Sequence, residues 1–153
     1  MNDKPKIDGR EIAARAKQTG LDEQRKASAK MTGKASRFTP ARLDHVQSLE
    51  DLEKGQVIGV LDTELAGDET DLPPGKYNVY VRKGDDGTWE AVAESGGKIA
   101  SKAARVEVRS HKEHPKGKGA PEEVLLPEFR HDGWCWWVCW PFGPVWICVL
   151  VCW

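Results

Sequence analysis

The twenty residues from Trp134 to Trp153, WCWWVCWPFGPVWICVLVCW, contain no charged, amide or hydroxyl side chain, yet they hold six of the chain's seven Trp and all four of its Cys. The preceding 133 residues carry every charge in the protein. A contiguous apolar surface of this size is not left in water, because patches beyond a few hundred Å² mark contact with lipid or with protein. Whatever the remainder folds into, this segment has to be covered.

Lipid is the first cover to weigh. As a helix, residues 133–153 would reach roughly 31 Å, about one hydrocarbon thickness. Pro141 and Pro144 would kink or break that helix. An isolated two-stranded hairpin cannot span, since its edges leave backbone groups unsatisfied in lipid. The segment is therefore expected as a kinked span, as a re-entrant or interfacial wedge, or packed within an assembly. Trp clusters at one end and closes the other, in the manner of interfacial aromatic belts. Lys112, Lys116, Lys118 and Arg130 precede it, which by the positive-inside rule keeps the body cytoplasmic. On this reading Trp134, Trp136, Trp137, Trp140, Phe142, Trp146, Ile147, Leu150 and Trp153 form the membrane or partner contact.

The cysteines offer a second organisation. Cys135 and Cys139 are four apart, as are Cys148 and Cys152, and the pairs flank the turn-forming Pro141-Phe142-Gly143-Pro144. Folded as a hairpin, the segment sets Cys139 opposite Cys148 and Cys135 opposite Cys152, on one face and in one hydrogen-bonding class. Two cross-strand disulfides fit that geometry, as does a tetrathiolate metal site on Cys135, Cys139, Cys148 and Cys152 with some twisting. A Trp-rich surround is foreign to structural zinc, and a cytosolic body argues against disulfides. The membrane reading, which is favoured, predicts four reduced, metal-free thiols acting as apolar filler, and a soluble, folded body once residues 133–153 are removed.

Ahead of this segment the chain divides by composition. Residues 1–42 hold eleven Lys/Arg against five Asp/Glu, a net of +6, and read as a basic arm, partly helical or disordered. Within it, residues 8–31 are helix-prone but divided at Gly20. Residues 43–55 contain a short helix: Ser48 and Asp51 make a cap, Leu49 and Leu52 share a face, and Gly55 is a stop. Residues 56–110 change to strand patterns. VIGVLDTE (57–64) is apolar and β-branched, while KYNVYVRK (76–83) and TWEAVAES (88–95) alternate. Gly84-Asp85-Asp86-Gly87 and Gly96-Gly97 supply turns. The run 98–110 completes four antiparallel strands with a core of Val57, Val60, Tyr77, Val79, Val81, Trp89, Ile99, Val106 and Val108. Residues 111–132, rich in Pro, Gly and mixed charge, read as a linker in which VLL (124–126) and Phe129 are able to dock.

The stretch Asp71-Leu72-Pro73-Pro74-Gly75-Lys76-Tyr77-Asn78-Val79-Tyr80-Val81 resembles the LPPGxYxVxV strand start of immunoglobulin-like and carboxypeptidase-regulatory-like β-sandwiches. The prolines stiffen the approach, Gly75 turns, and Tyr77 with Val79 enters a core. The likeness covers about eleven residues and implies a binding or spacer module. The fold expected is mainly β, a small antiparallel meander or immunoglobulin-like sandwich.

No Gly-rich phosphate loop, Ser/His/Asp set or motif-placed carboxylate pair occurs, so no catalytic residue and no cofactor is assigned. His111 and His114 have an HxxH spacing but sit beside Pro115 in the linker, and Asp62, Glu64, Asp68, Glu69 and Asp71 lack the periodicity of a calcium loop. The basic arm has Phe38 as its one aromatic, too few to stack single-stranded nucleic acid. It suits anionic headgroups or an acidic partner surface. The first twenty residues lack a secretory apolar core, so export by that route is not expected. The function expected is a non-enzymatic accessory or scaffold subunit, membrane-associated on the cytoplasmic side. It would brace integral membrane subunits of a larger complex, respiratory or photosynthetic in type. The alternatives are a precursor of a matured Trp/Cys peptide and a disulfide- or metal-stapled four-Cys hairpin.

Overall fold

In the computed structural model, which describes residues 6–31, 33–43, 46, 48–65, 72–111, 126–130, 133–142 and 145–153, the chain is mainly β. Six strands, β1 (Ala27–Met31), β2 (Lys34–Pro40), β3 (Gln56–Thr63), β4 (Gly75–Lys83), β5 (Trp89–Ser95) and β6 (Lys98–Lys102), run in sequential order as an antiparallel meander. A second antiparallel sheet has the order β7-β10-β9-β8, from β7 (Arg105–His111), β8 (Leu126–Arg130), β9 (Gly133–Phe142) and β10 (Val145–Cys152). Of the two architectures expected, the strand order of the first sheet is the meander.

One apolar cluster joins the two sheets into a sandwich. From the first sheet it takes Phe38, Ile58, Leu61, Tyr77, Val79, Val81, Ala91 and Ala93, and from the second Val138, Trp140, Phe142, Ile147, Val149, Val151 and Trp153. Alternation in β4 and β5 lies as the sequence predicts, since Tyr77, Val79 and Val81 point inward together with Ala91 and Ala93. In β3 the faces differ from expectation. The pairing shifts register between Val57 and Gly59, and this irregularity turns Ile58 and Leu61 inward while Val57 faces the other way. Gly59 also leaves room for β2, because a Cβ there would meet Phe38 Cε1 and Thr39 O at 2.5 Å each. Two further core assignments are corrected. Ile99 is 38% exposed, because β6 is the edge of the meander, and Trp89 only packs partly buried against the cluster.

Residues 98–110 are two strands, where one was expected. The chain changes sheets between adjacent residues: Ala103 N donates to Ala91 O of the first sheet at 2.8 Å, and Ala104 N to Cys152 O of the second at 2.8 Å. Val106 and Val108 then reach the shared core from the opposite layer.

The stretch read as a basic arm contributes both helix and sheet. Helix α1 (Gly9–Gln18) starts at Asp8, whose carboxylate accepts from Arg10 N at 2.9 Å. Its Ile12 packs with Val57, Tyr80 and Val92 on the outer face of the first sheet, the partner a marginal helix needs. Strand β2 buries Phe38 completely, so the isolated aromatic of the arm is a core residue. Helix α2 (Leu49–Glu53) is capped by Ser48, which accepts from Asp51 N at 3.4 Å. Leu52 is buried while Leu49 is exposed, so the two do not share a buried face. Both glycines of the β5–β6 turn have positive φ (62° and 83°), as a two-residue hairpin requires.

Candidate functional site

The apolar C-terminal segment is a β-hairpin, and no helix among the described residues is long and apolar enough to cross a membrane. Two prolines oppose a helix, whereas aromatic and β-branched residues suit a pleated surface. The register pairs Cys139 with Cys148, Trp137 with Leu150 and Cys135 with Cys152. This is the pairing of the hairpin alternative. Strand β9 also pairs with β8, so that part of the expected linker is sheet.

Cys139 and Cys148 form a disulfide with Cα atoms 4.1 Å apart, in the close, non-hydrogen-bonded class of antiparallel pairs. Cys152 is disulfide-bonded as well, and the residue across the ladder from it is Cys135, whose side chain lies outside those described. The expectation of four reduced, passive thiols is thereby corrected. Four residues separate the cysteines on each strand, so the same face and the same pairing class recur, and sulfurs meet across the ladder. The sulfurs of Cys139, Cys148 and Cys152 are joined in disulfides and are not presented as thiolate ligands.

The contact residues expected from sequence separate by face. Trp140 (3% exposed), Phe142, Ile147 and Trp153 point inward and are buried in the core of this chain. Trp140 Nε1 donates to Ala41 O at 2.9 Å, a buried bond that ties the hairpin to the end of β2. Trp153 Nε1 is buried and meets no hydrogen-bond partner among the described residues. The outer face carries Cys139, Cys148, Leu150 and Cys152, all buried, with Trp137 packed partly exposed against Leu150 and Cys152. Trp146 is half-buried, and the side chains of Trp134 and Trp136 lie outside those described.

Strand β7 adds charge to this outer face. The Arg109 guanidinium lies over the Trp137 ring, 5.4 Å from its centroid. Glu107 sits between two arginines, 3.0 Å from Arg105 Nη2 and 3.3 Å from Arg109 Nη2. Burial works to raise the Glu107 pKa, but the charge of Arg105 and the hydrogen bonds and charge of Arg109 outweigh it and hold the carboxyl below its ordinary value. The candidate site is this face: Trp137, Trp146, Arg105, Glu107 and Arg109 on a disulfide-stapled sheet. Sequence reading found the two Trp. It missed the β7 charges, which were assigned to a strand of the first sheet and so to a different layer.

Of the weaker candidates, Asp62 and Glu64 lie at the end of β3, where Glu64 accepts from Ala35 N at 2.9 Å. Asp68, Glu69, Asp71 and His114 lie outside the described residues. Comparison with protein-family models, with curated proteins and with solved structures finds no match for this chain.

Proposed function

We propose that this protein is a non-enzymatic accessory module of a larger assembly, acting through the outer face of its four-stranded sheet. The observation that carries the reading is the stack of Arg109 on a partly exposed Trp137, on a sheet held by the Cys139–Cys148 bond. Trp and Arg dominate the binding energy of protein interfaces, and a stapled sheet presents them with little ordering cost. A partner embedded in a membrane suits this face, with the net-basic first 42 residues meeting anionic headgroups or an acidic surface. The hairpin itself is a poor anchor, because inserting it in lipid would strip Val138, Trp140, Val149 and Val151 from the core.

A body on the cytoplasmic side must keep its disulfide against a reducing pool. The 2% and 0% exposure of Cys139 and Cys148 offers that protection, because a thiolate has to reach the bond to break it. Release of a Trp/Cys peptide by cleavage near Gly133 has less support, since it would remove β9 and β10 from the fold.

Detergent-free fractionation of full-length protein, with identification of what co-purifies, tests the reading. The expected result is recovery with membranes alongside an integral subunit, reduced tenfold or more by Trp137→Ala or Arg109→Ala, since interface anchors cost about 1.4 kcal/mol or more when truncated. A monomeric protein in the soluble fraction, with or without these substitutions, would overturn it.

A further inference from the structure

The geometry points to a second site, for a phosphate group, in the cavity between α1 and the outer face of the first sheet. It stands independently of the interaction face on the other layer.

Alternation in β4 sends Tyr77, Val79 and Val81 into the sandwich, so Tyr80 and its neighbour Arg82 belong to the opposite face. Helix α1 crosses that face on Ile12, leaving a cavity of about 210 Å³ beside its first turns. Cations from three elements line it: Lys6 and Arg15 from α1 and its approach, Lys54 from the end of α2, and Arg82 from β4. Two carboxylates face them, Asp8 and Glu11. Asp8 is engaged in capping α1, Glu11 meets Arg15 Nη2 at 3.0 Å, and Arg82 Nε meets Glu90 Oε1 at 2.6 Å. Four cations and two carboxylates line the cavity, and two acids outside the lining pair with its cations, Glu90 with Arg82 and Asp51 with Lys54 at 3.9 Å. The N–H groups opening α1 add positive potential at its first turn.

Tyr80 identifies the cavity as more than a cationic rim. The residue is 7% exposed, lines the cavity, and its hydroxyl makes no hydrogen bond among the described residues. The hydroxyl lies against the bare backbone of Gly55, where φ is +114° and an added Cβ would fall on it. Arg15 Nη1 donates to Gly55 O at 3.1 Å, so a phenol and a guanidinium are brought together at one residue. Burial raises the Tyr80 pKa, more than the charges of Arg15 and Arg82 lower it, so the phenol stays a proton donor across the physiological range. The hydroxyl borders the cavity and is open to an acceptor there.

The volume selects the ligand class. It lies below the roughly 300–1,000 Å³ of sites for drug-sized molecules, and suits one compact group. The tetrahedral oxygens of a phosphate group accept from phenol, guanidinium and ammonium together. Its source is either a free phosphate ester or the headgroup of an anionic lipid.

The test is titration of full-length protein at low ionic strength with inorganic phosphate, read by heteronuclear NMR at Tyr80 and Gly55. A parallel arm uses vesicles with and without phosphatidate. Tyr80→Phe keeps the ring and is expected to weaken binding about tenfold or more, the loss for a hydrogen bond to a charged group. Lys54, which is 77% exposed, is safe for the fold, and Lys54→Gln is expected to weaken binding a few-fold and flatten its salt dependence. Saturable binding of phosphate with these losses supports a site for free esters, and the same pattern with vesicles alone supports a lipid source. Absence of binding in both arms, or affinities unchanged in both variants, would overturn the proposal.

Discussion

The indole N–H of Trp140 is bonded to the carbonyl oxygen of Ala41, 2.9 Å away across a sequence separation of 99 residues. Ala41 follows β2 and is itself 1% exposed, so neither group can turn to water. This bond joins the basic N-terminal stretch to the apolar C-terminal hairpin, within the core cluster that also holds Phe38 and Ala41.

Replacing Trp140 tests that connection. Trp140→Phe leaves the Ala41 carbonyl buried and unpaired, and is expected to cost about 1–3 kcal/mol. Trp153→Phe removes a donor that has no partner among the described residues, so only packing is expected to be lost. Trp140→Ala is expected to cost about 3–5 kcal/mol, and Trp89→Ala less, because Trp89 is only partly buried. Urea midpoints of the four variants check the ranking. Trp89→Ala costing more than Trp140→Ala would contradict the packing described.

Deleting residues 133–153 is expected to abolish the native state, where sequence reading anticipated a soluble, folded body. The deletion takes away seven core side chains, Val138, Trp140, Phe142, Ile147, Val149, Val151 and Trp153. At about 1.5–3 kcal/mol for each large apolar side chain, the loss is about 10–21 kcal/mol, comparable with or larger than a typical net stability of about 5–15 kcal/mol. Loss of near-ultraviolet circular dichroism and of a cooperative melt is the expected outcome. A cooperative transition in the truncated chain would show that the first sheet folds alone.

The cysteine arrangement predicts a nested cross-link pattern. Non-reducing peptide mapping is expected to recover Cys139 joined to Cys148, nine residues away. Replacing that pair with Ser is expected to cost about 2.5–3 kcal/mol on a chain-entropy estimate, in addition to the effect of placing hydroxyls on a buried face. Four alkylatable thiols in denatured, unreduced protein would refute the arrangement.

Glu107 supplies an acid-side signature. Its folded pKa lies below the ordinary 4.5, so its stabilisation is complete above that value and is lost as pH falls through the lowered one. Both arginine partners are over a third exposed, which limits the effect to below about 1 kcal/mol. Glu107→Gln is expected to lower stability near neutrality and to flatten the decline on acidification, read from denaturant midpoints at a series of pH values. Parallel pH curves for variant and wild type would exclude the role.

Strands β3, β4 and β5 were legible from alternation and β-branched content, and their turns from Gly84 to Gly87 and from Gly96-Gly97. The Ser48 cap was legible because it needs only residues three apart. The hairpin register was legible in the spacing of the four cysteines, since a four-residue interval on both strands returns sulfur to the same face. The sequence by itself thus determined local conformation, turn chemistry and the pairing of neighbours. Tertiary structure alone decided what covers what. The register shift beside Gly59 exchanges the faces of β3, the step from Ala103 to Ala104 moves the chain between sheets, and Phe38 is drawn from a basic stretch into the core. Most of the apolar segment's inner face found its cover within this chain, against the meander. Periodicity assigns a residue to a face but carries no record of what that face meets, because burial is set by contacts between segments distant in sequence.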